Sequence, residues 1–142
     1  MKRTLALILA AIMILSITAC GGGSKKVSAK DLATYRDISW EGTELTVKLG
    51  ENKTTGCNWK NEFGDDSIID YSINRKFTLS DGAAMQGLTA GVLSAGFEGK
   101  KAGTTTITFT TPCDWEGNTP GYTYVVTVEV AADGTIVNAT GE

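Results

Sequence analysis

Apolar and polar residues alternate along this chain in short runs, and the runs stop at glycines, prolines and paired acids. Over residues 43–49, Leu45, Val47 and Leu49 fall on one side and Glu44, Thr46 and Lys48 on the other, which predicts a half-buried strand. Residues 104–110 repeat the pattern with Thr105, Ile107 and Phe109. Residues 122–130 are the most regular: Tyr124, Val126, Val128 and Val130 alternate with Thr123, Val125, Thr127 and Glu129. A strand over 57–63 holds Trp59, and one or two strands fill 68–79, with Tyr71, Ile73, Phe77 and Leu79 as expected core. Residues 95–99 make a weaker strand. Turns are expected at Gly64-Asp65-Asp66-Ser67, at 100–103 and at Asp133-Gly134. Residues 81–94, poor in charge and rich in Gly and Ala, read as a long loop, and 112–121 as a second. Residues 28–36 read as a brief helical turn or a linker. Six or seven short strands punctuated by turns predict an all-β fold, an antiparallel sandwich.

The start of the chain has a different character. Lys2-Arg3 precede an almost wholly apolar stretch, 5–17, too short to span a bilayer comfortably and laid out like a secretory signal. All 16 acidic residues follow it; 13 basic residues less Lys2 and Arg3 then leave a net charge of −5 for the rest. A mildly acidic chain without a basic cluster argues against a nucleic-acid partner.

The chain has no His, which excludes Ser-His-Asp and Cys-His catalysis and imidazole metal sites. Asp65-Asp66 lack ligand spacing around them and read as a solvated turn. Asp114 and Glu116, two apart in a loop, read the same way, and no base is legible beside Cys57. Neither an enzyme nor a cofactor or metal is expected.

The leader ends Ile17-Thr18-Ala19-Cys20, followed by Gly21-Gly22-Gly23-Ser24. This resembles a bacterial lipobox, with Cys20 as the lipid-bearing residue and the glycines as slack. The expected layout is a signal peptide over 1–19, a lipidated Cys and linker over 20–33, and a folded domain over 34–142 in the cell envelope, outside the cytoplasm. Cys57 and Cys113 then remain, and two thiols in an exported protein read as one disulfide. Cys57 stands at a loop edge and the immunoglobulin Cys-Trp-Cys spacing is not met, so a bridge between loops is expected.

Three segments together resemble the chagasin family of cysteine-protease inhibitors. Asn52-Lys53-Thr54-Thr55-Gly56-Cys57-Asn58-Trp59 is similar to that family's Asn-Pro-Thr-Thr-Gly-x-x-Trp loop. Gly87-Leu88-Thr89-Ala90-Gly91 stands at the place of its Gly-rich loop. Ala102-Gly103-Thr104, a strand and then Pro112-Cys113-Asp114-Trp115 are similar to its Ala-Gly-Thr, strand and Arg-Pro-Trp. The resemblance spans residues 40–132.

It implies an immunoglobulin-like sandwich of about 6–8 strands whose three loops, at one end, wedge into the cleft of a papain-like protease. Thr54, Thr55 and Gly56 would sit nearest the protease thiol, flanked by Asn52 and Lys53. Asp114 and Trp115 would lie on the primed side, and Gly87, Leu88, Thr89, Ala90 and Gly91 would clamp the other. The partners implied are a papain-like protease and, through Cys20, a lipid bilayer, with the inhibitor acting as a monomer. Two departures stand out: Lys53 replaces a Pro, and Cys113-Asp114 replaces Arg-Pro, removing a cation. If the loops adjoin as implied, a Cys57–Cys113 bridge would hold them in one arrangement. The alternative is a surface binding or adhesion module on the same sandwich without inhibition.

Overall fold

A strand with one apolar face hides it by joining a sheet and laying that sheet on a second one. The computed structural model, which describes residues 31–80 and 89–142, shows that outcome. The leader, Cys20, Gly87 and Leu88 lie outside the described residues, as does the side chain of Ile73. In chain order the strands are β1 (Arg36–Glu41), β2 (Glu44–Asn52), β3 (Lys60–Phe63), β4 (Ile69–Leu79), β5 (Ala90–Gly99), β6 (Gly103–Thr110), β7 (Thr123–Val130) and β8 (Ile136–Gly141). They form two four-stranded sheets, ordered β1-β2-β5-β4 and β3-β6-β7-β8. Every pairing is antiparallel.

Register explains the core. In the first sheet Leu45 pairs with Phe97, Val47 with Ala95 and Leu49 with Leu93. In the second Thr105 pairs with Val128, Ile107 with Val126 and Phe109 with Tyr124. The side-chain period of two puts each row on one face, and the two faces meet. Phe97 is fully buried and presents its edge contacts to Phe63 and Phe109, with ring centroids 5.8 and 5.9 Å away.

The alternation over 43–49, 104–110 and 122–130 is therefore real, and the all-β sandwich holds. Several local expectations do not. Residues 90–94 belong to β5, a central strand, and not to a long loop. Small residues hid it: a Cβ at Gly91 would strike the Thr78 carbonyl, so this strand is built for close approach. Trp59 precedes β3 instead of lying within it, although it is buried. Tyr71 and Leu79 are half exposed, because β4 is an edge strand, and Ile68 and Ile69 enter the core instead. β1 and β8, weakly patterned edge strands, have no clear period in the sequence. Of the two readings for 28–36, the brief helical turn is present, as a single 3-10 turn over 32–34 with Leu32 fully buried.

Candidate functional site

The end of β2 becomes a turn because Asn52 stops the strand. Its side chain accepts the Thr54 N–H at 3.1 Å, the N-cap of the 3-10 turn Lys53–Thr55. The Thr55 hydroxyl donates back to the Asn52 carbonyl at 2.8 Å. Gly56 closes the turn at φ 73°, a left-handed conformation that favours glycine, and donates to the Lys53 carbonyl. Thr54 and Gly56 are exposed and Thr55 half-buried. The Lys53 ammonium lies 4.2 Å above the Phe77 ring, so the residue standing for the family's Pro is held by a cation–π contact. The exit is anchored at Trp59. Its N–H donates to the buried Glu51 carboxylate at 2.9 Å, and its indole N–H to the Gly50 carbonyl at 2.8 Å. The Arg36 guanidinium covers the indole at 4.8 Å.

The loop over 111–122 is organised by Asp114. The Thr111 N–H donates to the Tyr122 carbonyl at 3.0 Å and closes the base. One Asp114 oxygen accepts the N–H groups of Glu116 at 2.9 Å and Asn118 at 2.8 Å. These bonds, that from the Asn118 backbone foremost, hold the carboxyl below its ordinary value of 3.8. The anion that replaces the family's Arg-Pro is thus engaged within its own loop. Trp115 follows, half-buried and packed against the small cluster of Leu32 and Ala90.

The segments meet at one pole. Cys57 and Cys113 are disulfide-bonded with Cα atoms 5.8 Å apart, loop to loop as expected. The Asn52 amide also donates to the Trp115 carbonyl at 2.9 Å. Gly117 comes so close to Thr55 that a Cβ there would touch its methyl at 3.5 Å. On the other flank Thr89 donates its N–H to the Thr54 hydroxyl at 2.7 Å and accepts from the Lys53 N–H at 2.8 Å. Asn52, Lys53, Thr54, Thr55, Gly56, Thr89, Asp114 and Trp115 are therefore brought together. Ala90 and Gly91 are buried in the start of β5, so their backbone supports the pole and does not front it. Leu32, whose turn sits under Trp115 and Ala90, was not found by sequence reasoning; a lone apolar residue in a polar segment carries no period.

This surface offers backbone, hydroxyls and an indole on a braced frame. Among the described residues no group of three or more Cys, Asp and Glu is placed to hold a metal ion. Fold and pole together define a loop-presenting β-sandwich binding module. The family description "Chagasin family peptidase inhibitor I42" matches residues 40–130, and the chain belongs to that family. Membership supports inhibition of cysteine proteases, not an enzymatic activity. No curated protein and no solved structure matches the chain.

Proposed function

We propose that this chain is a reversible, occluding inhibitor of papain-like cysteine proteases, held at the cell envelope by a lipid on Cys20. The observation that carries the reading is the convergence of Thr54, Thr55, Thr89 and Trp115 on one pole, tied by the Cys57–Cys113 bond and the Asn52–Trp115 hydrogen bond. A convex, prearranged wedge fills a cleft without a bond being made or broken. Its loops lose little freedom on association, which lowers the cost of binding. An interface of about 800 Å² per partner is typical of such complexes. Trp115, packed against Leu32 and Ala90, is the natural anchor, since a rigid indole dominates many interfaces.

The test is a titration of papain with the full chain in mild non-ionic detergent. Inhibition that is competitive and reverses on dilution is expected. A second reading, a binding module without inhibition, draws on Lys53 and Cys113-Asp114, which change the charge of two loops. No inhibition at micromolar concentration would select it.

The anchor proposal has a geometric consequence. Leu32 is buried at the loop pole, so a tether from Cys20 would reach the domain beside the binding loops, spanning about 40 Å at most. The inhibitor would then hang by its binding end and act close to the bilayer. Mass spectrometry of the N-terminal peptide from envelope fractions should find acylated Cys20; an unmodified Cys20 there would remove the anchor.

A further inference from the structure

A cleft of about 340 Å³ opens on the flank of the pole, lined by Glu51, Lys53, Asn58, Arg75, Phe77 and Leu93. Its size suits a side chain or short peptide segment. Its apolar part is Phe77, half-buried and paired with the buried Leu93 across β4 and β5. The walls are polar, and two of them are cations. Lys53 is held over the Phe77 ring at 4.2 Å. Arg75 is fixed by donating to the Trp59 carbonyl at 2.7 Å and to Asn61 at 3.5 Å. These bonds engage two of the five N–H donors a guanidinium carries. Among the described residues Glu51 is the one acid in the lining, and it is 4% exposed with its carboxylate turned to the Trp59 N–H. The mouth of the cleft is therefore positive in a chain whose net charge is negative.

We propose that this cleft is a second recognition site, which takes an acidic side chain from the rim of the target protease between Lys53 and Arg75, beside the Lys53-covered ring of Phe77. It rests on the inhibitor reading for the identity of the partner. Two arguments select that occupant. The cleft is continuous with the pole, because Lys53 belongs to the first loop and its N–H donates to Thr89. A protease seated on the loops would bring its rim across the cleft. Charge then selects the side chain: an ammonium and a guanidinium lining one polar cleft suit a carboxylate. The Lys that stands for the family's Pro thereby sets which proteases are preferred.

Two measurements test it. The first uses no protease. The full chain, isotope-labelled and in detergent, is titrated with a blocked triglutamate peptide and, as control, with triglutamine. Amide shifts at Lys53, Asn58, Arg75 and Phe77 with triglutamate alone are expected, lost in Lys53→Gln/Arg75→Gln. No shifts at millimolar peptide, or shifts that survive the substitutions, overturn the site. The second is the association rate with papain-like proteases between 50 and 500 mM salt. Lys53→Gln, an exposed position that spares the fold, and the double variant should slow association with an acid-rimmed protease by about tenfold at low salt, converging at high salt. Lys100→Gln at the opposite pole should change nothing. An unchanged rate and salt slope overturn the role in inhibition. Peptide binding without any inhibition would reject the inhibitor reading and retain the acid-binding cleft; inhibition without peptide binding would do the reverse.

Discussion

The two halves of the sandwich are held by different forces. Toward its middle and far end, apolar rows from both sheets interlock: Phe97 and Phe109 meet edge to face, and Ile68, Val130 and Ile136 are buried beyond them. Buried apolar area and fit of shape dominate there, so volume-conserving swaps are tolerated best. At the loop end, among the described residues, a small separate cluster of Leu32 and Ala90, with Val92 and Trp115 against it, adds to buried Trp59. Order comes instead from a disulfide, an Asn cap, and hydrogen bonds joining residues far apart in the chain. Directional links hold a surface in one shape while leaving it exposed. That suits the wedge proposed above, which has to stay rigid while exposed.

Substitutions at the two ends should separate stability from inhibition. The largest loss of stability is expected from Phe97→Ala, about 3–5 kcal/mol in urea unfolding, with inhibition per folded molecule unchanged. A parallel loss of inhibition would erase the division between the halves. Replacing Cys57 and Cys113 by Ser should cost about 2–4 kcal/mol and, unlike Phe97→Ala, should also weaken inhibition, since one Asn52–Trp115 hydrogen bond then carries the direct polar link between those loops. Leu32→Ala should cost about 2–3 kcal/mol and raise amide hydrogen exchange over 113–118 while exchange in β6 stays slow; uniform acceleration would mean the small cluster is part of the main core.

Trp115→Ala should weaken papain inhibition at least tenfold, about 1.4 kcal/mol, with the fold retained. Unchanged inhibition would remove the anchor role. The smallest effect concerns acid. Because the folded-state value of Asp114 is depressed, its contribution is complete above the unfolded value and is lost as pH falls through the folded one, below 3.8. Amide signals of Glu116 and Asn118 should shift over that window in the wild type and stay flat in Asp114→Asn. Asp65, held low chiefly by Ser67, gives the far end a similar acid response, so the comparison must be read residue by residue.

The sequence by itself determined the sandwich and the family. Strict alternation in 43–49, 104–110 and 122–130 leaves one face to bury, and burial of such a face decides both strand and register. The turn chemistry of Asn52, Gly56 and Asp133-Gly134 is likewise local, and local chemistry is visible in local order. Edge strands β1 and β8, the central placement of Gly-rich β5, and the half-exposure of Tyr71 and Leu79 depended on neighbours from other sheet positions. So did the pole. Leu32 under Trp115, Lys53 on Phe77, Arg75 on Trp59 and Asn52 on the Trp115 carbonyl join residues whose separation in the chain says nothing about distance in space. A period can be read along a strand, but a contact between strands or loops exists only after the sheets have packed.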